Sequence, residues 1–379
     1  MWFAPRSIFV TKGLVSSVAL PCFLLIVLLT NFPVPMQAQD AVAQFNDLAA
    51  RAAAARDAQN LTAAVDLYGQ AVQMRPDWQE GWWYLGVLHY SANQYPEAID
   101  AFNRLLALAP KAVPAMALRG LCEFETGAYD DALRDLDMAV QHGAANQPGN
   151  EEIIRTHLAQ LLTRAGRFQD ALAQYKLLAA KNIQDPDLLV GLGLAGMRTA
   201  TLTKDVPDQS RALFQSAGDA GFVLLAGDSQ KADDLFQQLF TQYPTAPNLH
   251  LFYGFLLFPH DPSLAIEQFQ KEAAIAPGNI SAHALLAFSL MIAGNYAEAI
   301  PEAKRVLVSD PGMEMAEIAL GRSQAETGDV QAGTDMLNQV LKTDPDNLEA
   351  HMGLASIYAR SGRNEDAYRE RMVCLRLDK

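Results

Sequence analysis

Residues 79–112, QEGWWYLGVLHYSANQYPEAIDAFNRLLALAPKA, read as two helices together with the features that let them pair. Trp82, Leu85 and Gly86 fall on one face at helical spacing, and Tyr95, Ala98 and Phe102 do the same in the second half. Gly86 has no side chain, so a second helix can approach it closely, and Ala98 is its small counterpart. A larger group at either place would overpack the contact, at a cost of about 1–3 kcal/mol. Pro110 stands just past the second helix, which it cannot continue.

The pattern recurs every 34 residues. Pro76 and Pro110 keep that interval, as do Pro277, Pro311 and Pro345, and so do Gly294, Gly328 and Gly362. The frame fits 45–78 (Ala52, Ala64, Tyr68), 113–146 (Gly120, Tyr129, Ala132) and 152–185 (Ala159, Phe168, Ala171). It fits again at 280–313 (Tyr296, Ala299), 314–347 (Leu320, Gly321) and 348–379 (Leu354, Tyr358, Ala367). Gly127, Gly166, Gly294, Gly328 and Gly362 fall where a first helix ends, the place for a left-handed residue. Asn279 and Asn347 stand as N-caps of the helices that follow them. Each hairpin exposes an apolar face that only its neighbour covers, so stability is spread along a stack.

This sequence resembles the tetratricopeptide repeat (TPR) family, on Trp82, Leu85, Gly86, Tyr95, Ala98, Phe102 and Pro110, with departures at His89 and Leu105. The resemblance covers 45–198 and 213–379. It implies an all-α, right-handed solenoid of antiparallel helix pairs with about nine repeats. The expected organisation is an export segment over 1–38, an N-terminal array over 41–198, an irregular loop over 199–212 and a C-terminal array over 213–379.

Arg6 and Lys12 precede an uncharged apolar run over 13–30, and Met36-Gln37-Ala38 ends a polar tail. That is the plan of a secretory signal peptide cleaved after Ala38, with an uncleaved membrane anchor as the alternative. Either reading places the body outside the cytoplasm. The whole chain carries a formal charge of −14, and beyond residue 38 there are 27 basic against 43 acidic residues. Such a body repels phosphate backbones, which argues against a nucleic-acid partner and leaves membrane contact only to the N-terminal segment. Cys22, Cys122 and Cys374 show no metal-type spacing.

After Asp185 the frame loosens. Residues 186–198 read as a first helix, TATLTKDVPDQ (199–209) interrupts it, and 212–227, 231–243 and 250–258 read as helices. The 199–212 loop reads as drift in the repeat, with a bend or a partner site as alternatives. Gly191–Gly196 matches G-x-G-x-x-G, but a dinucleotide loop needs a preceding strand, so a tightly packed helix is expected there. The seven histidines scatter, and His250, His283 and His351 occupy the repeat position of Trp82, which is packing equivalence. No catalytic, metal or cofactor constellation emerges, and an enzyme using 186–246 is the remaining enzymatic alternative.

The resemblance implies a groove along the inner face of the first helices. By register its candidate partner-binding residues are Trp83, Val87, Tyr90, Leu121, Phe124, Phe255, Phe258, Phe288 and Met291. Val87 and Leu121 stand where carboxylate-clamp relatives carry Asn, so a partner with an apolar or amphipathic helix is expected instead. Glu125 and Glu326 would rim the groove and favour basic flanks on that partner. The expected function is a non-catalytic extracytoplasmic scaffold or adaptor in envelope or secretion assembly, with a carrier shielding apolar segments as the alternative.

Overall fold

A computed structural model describes residues 36–146, 149–183 and 185–378, and residues 1–35 of the expected export segment lie outside the described residues. Four helical hairpins come first: α1 (Met36–Asp57) with α2 (Leu61–Met74), α3 (Gln79–Ser91) with α4 (Tyr95–Leu108), α5 (Val113–Thr126) with α6 (Tyr129–Gln141), and α7 (Glu151–Arg164) with α8 (Phe168–Ala179). A single helix, α9 (Pro186–Gly196), follows. Five more hairpins complete the described residues: α10 (Asp208–Leu225) with α11 (Ser229–Gln242), α12 (Leu249–Leu257) with α13 (Pro262–Ile275), α14 (Ile280–Ile292) with α15 (Tyr296–Ser309), α16 (Glu314–Glu326) with α17 (Val330–Thr343), and α18 (Leu348–Arg360) with α19 (Asn364–Leu377). The described residues contain no strand, and no helix among them is long and apolar enough to cross a membrane.

The repeat positions do what their chemistry requires. A Cβ on Gly86 would lie 2.5 Å from the ring of Phe102, which is fully buried, so the absent side chain is what admits α4. Gly127 caps α5 in the left-handed region at φ +83°, and the equivalent glycines of later first helices share its sign. Asn279 and Asn347 accept the amides of Ala282 and Ala350 at 3.3 and 2.9 Å, as N-caps do. The shared position of Trp82, His283 and His351 has a definite task. Trp82 Nε1 donates to the Pro76 carbonyl at 2.8 Å, and His283 and His351 Nε2 make the same bond to Pro277 and Pro345 at 3.0 Å. Each ties a first helix to the turn that precedes it. His250 is the exception: the turn before α12 carries Asn248 at φ +66°, and the ring stacks on Phe240 at 3.9 Å and bonds Gln268 at 2.7 Å instead.

The middle differs from the expected outline. Helix α10 begins at Asp208, so residues 208–212, expected in the irregular loop, are helical. Helix α9 has no second helix of its own. The chain instead turns at Arg198 (φ +52°) and runs through a short 3-10 turn, Thr203–Asp205, into α10, which lies directly against α9. A side chain at Gly193 would overlap the Phe214 carbonyl, and one at Gly218 the Leu189 carbonyl, so the two backbones touch there. Gly196 and Gly221 face the ring of Phe252 from α12. The glycine-rich run is therefore helix interior at a three-helix crossing, and its amides point along the helix rather than into a phosphate cradle.

Candidate functional site: the inner face of the first helices

The nine positions mapped by register fall into two patches and a buried remainder. In the N-terminal patch Trp83, Val87 and Tyr90 follow one another along α3 and are half-buried. Trp83 packs on Phe102 with ring centroids 6.1 Å apart, and Tyr90 meets Tyr95 at 6.2 Å. In the C-terminal patch Phe255 on α12, Phe258 at its end and Phe288 on α14 are half-buried, with Phe258 and Phe288 6.4 Å apart. Leu121, Phe124 and Met291 are 6%, 8% and 1% exposed, and so belong to the core more than to an open groove. Phe124 is covered by the edge of His157 at 4.6 Å, and Met291 is a core residue of α14. Glu326 pairs with Arg360, which removes it from the expected acidic rim, while Glu125 is exposed.

A strap separates the two patches. Carrying the same register into the next units places Gln160 on α7 and Val190 and Leu194 on α9 along the groove line. Residues 199–207 lie on those positions. Thr203 Oγ1 donates to Gln160 Oε1 at 3.3 Å, Val206 packs with Val190, Leu194 and Phe214, and Arg211 holds the Thr203 carbonyl at 2.9 Å. Leu202, Thr203 and Val206 are buried; Lys204 and Asp205 form an exposed tip. Lys204 Nζ lies 5.8 Å from the Phe124 ring centroid and 5.2 Å from that of Tyr129. The neighbouring Tyr129 phenol raises the Lys204 ammonium above its usual pKa. Sequence reasoning missed this contact because the 199–209 run is polar and carries no repeat signature; the signal available was the register of α7 and α9 beside it.

Two neighbouring ionisable groups on α5 are set by burial. Cys122 is fully buried and its thiol is pushed up to about 12, so it is an inert apolar filler. Glu123 is also buried. Burial first, and Asp135 second, push its carboxyl to about 7, because Arg119 spends its fork on Asp135 at 2.6 and 2.9 Å and approaches Glu123 only to 3.7 Å. Glu123 Oε2 has no hydrogen-bond partner. A raised acid stabilises the fold fully below its ordinary value of 4.5, and that contribution is lost as pH rises through about 7. Glu123→Gln should therefore raise stability at pH 8 by about 1–3 kcal/mol and leave it almost unchanged at pH 4.5. Urea titrations at the two pH values check this; an equal effect at both would contradict it.

Among the described residues no group of histidine, cysteine and carboxylate side chains could hold a metal ion. Family models described as tetratricopeptide repeat match residues 49–113 and 90–151, 208–246, and 324–370. The chain is 22% identical over 326 residues to a CTR9 homolog of Arabidopsis thaliana, covering 83% of this chain and 27% of that protein. It is 22% identical over 325 residues to a TPR repeat-containing protein of Methanocaldococcus jannaschii, covering 80% of this chain and 51% of that protein. The chain thus spans about a quarter to a half of the length of these relatives. Among solved structures, MamA from Desulfovibrio magneticus RS-1 aligns at 17% identity with a TM-score of 0.39, over 45% of this chain and 96% of that one. With its hairpin stack, its repeat-position chemistry and the family-model matches in agreement, the chain belongs to the tetratricopeptide repeat family.

Proposed function

We propose that this chain is a non-catalytic, exported scaffold whose N-terminal groove takes an apolar or amphipathic helix with basic flanks. The row Trp83, Val87 and Tyr90 carries the reading: three large apolar side chains on successive turns of one helix, half-exposed, with Glu125 exposed nearby on α5. Such a strip matches an i, i+3/i+4, i+7 apolar face, and the aromatic pair are the side-chain types that anchor interfaces. The chain's charge of −14 adds attraction for basic flanks. The TPR repeats support a protein-interaction role in general; export rests on Arg6, Lys12 and the apolar run at 13–30.

The test is an amphipathic helical peptide capped with lysines at both ends, titrated against the protein and against Trp83→Gln/Tyr90→Gln. Loss of two anchoring aromatics should weaken binding by about tenfold or more, with far-UV circular dichroism unchanged. Binding that survives the double substitution would remove the groove from the reading. Fractionation of cells expressing the full chain, with protease access to the intact envelope, tests export; a body protected with cytoplasmic markers would overturn it.

A further inference from the structure

We propose that Lys204 is a built-in ligand of the groove: the strap seats its ammonium against Phe124 and Tyr129, and a partner bringing its own lysine or arginine to that place displaces it. This rests on the docking reading above and concerns how the same site is filled. Phe124 is the register equivalent of Tyr90 in the next unit, so the seat continues the row formed by Trp83, Val87 and Tyr90. The strap is fastened from beneath by Leu202, Thr203 and Val206, while Lys204 is exposed. The tip can therefore let go without unfolding the strap. Tyr129 also faces the Arg164 guanidinium at 4.7 Å, and Arg164 is tied to Asp130 at 3.1 Å, so Lys204 is the cation free to exchange. An exposed ammonium on an aromatic ring is held weakly, and an incoming cation replaces it like for like. A neutral side chain offers no such exchange and leaves Lys204 seated, which makes the middle of the groove selective for charge.

The experiment uses the full chain and two peptides, the lysine-capped amphipathic helix and its glutamine-capped counterpart, at low ionic strength. Lys204→Ala empties the seat at an exposed residue. It should bind the lysine peptide about two- to fivefold more tightly than the unaltered protein does, with little change for the glutamine peptide, and Lys204→Arg should behave as the unaltered protein. Equal or weaker binding of the lysine peptide by Lys204→Ala overturns the built-in ligand. If Trp83→Gln/Tyr90→Gln binds as well as the unaltered protein, the docking reading fails instead, and absence of binding by any of these proteins overturns both.

Discussion

Gly193→Ala is expected to lower stability by about 3 kcal/mol or more, beyond the roughly 1–3 kcal/mol expected for Gly86→Ala. The two glycines look alike in sequence, each at the eighth place of its repeat frame, yet they meet different atoms. At Gly86 the obstacle is the Phe102 ring at 2.5 Å, a side chain that can turn or shift without moving its helix backbone. At Gly193 it is the carbonyl and backbone of Phe214, which move only if all of α10 moves. Gly218 repeats the constraint from the other side against the Leu189 carbonyl, so the α9–α10 crossing has no soft partner. Alanine's better helix propensity returns only about 1 kcal/mol. Separating the helices also lifts α10 from Phe252, which Gly196 and Gly221 both receive. Urea denaturation measures the cost, and hydrogen exchange should place the loss in α9, α10 and α12. A Gly193→Ala protein as stable as its parent would show that the crossing is looser than its backbone contacts imply.

That contrast marks what the sequence could and could not reveal. The 34-residue interval is a packing requirement, and small residues, aromatic fillers and capping asparagines recur because every hairpin solves the same problem. Hence the helices and turns on either side of the middle were legible from Gln79 to Pro110 and from Ile280 onward. The shared task of Trp82, His283 and His351 was visible only as equivalence, since nothing in the letters says which carbonyl an N–H will find. The candidate groove was legible as a row of positions but not as a surface. Whether Phe124 or Met291 is open depends on how closely successive first helices pack and on what crosses them. The strap is the clearest case: its anchors, Leu202, Thr203 and Val206, meet residues of α7, α9 and α10, and a partner 43 residues away leaves no periodic trace.

Glu272→Ala is expected to cost about 3–5 kcal/mol, and Glu272→Gln about half of that, because one fully buried carboxylate fastens the starts of two helices. Its Oε1 accepts the Asn248 amide at 2.7 Å and Asn279 Nδ2 at 3.2 Å, and Oε2 accepts the Leu251 amide at a longer 3.4 Å. Asn248 is the N-cap of α12 but caps nothing with its own side chain, so Glu272 supplies the acceptor that the first turn needs. Its negative charge also sits at the positive end of α12. Asn279 passes the arrangement on, donating to Asn248 Oδ1 at 2.7 Å while its own oxygen caps α14. Alanine would leave the buried Leu251 amide and the part-buried amides of Asn248 and Asn279 short of an acceptor, each worth up to about 1–3 kcal/mol where water does not replace it. Glutamine keeps the shape and one acceptor but turns an NH2 toward a donor. Since Glu272 and Asn279 act through one network, Asn279→Ala should cost less in the Glu272→Ala background than alone, a double-mutant coupling of about 0.5–3 kcal/mol. Strict additivity in denaturant titrations, or a Glu272→Gln protein no more stable than Glu272→Ala, would show that the carboxylate fills space without tying α12 to α14.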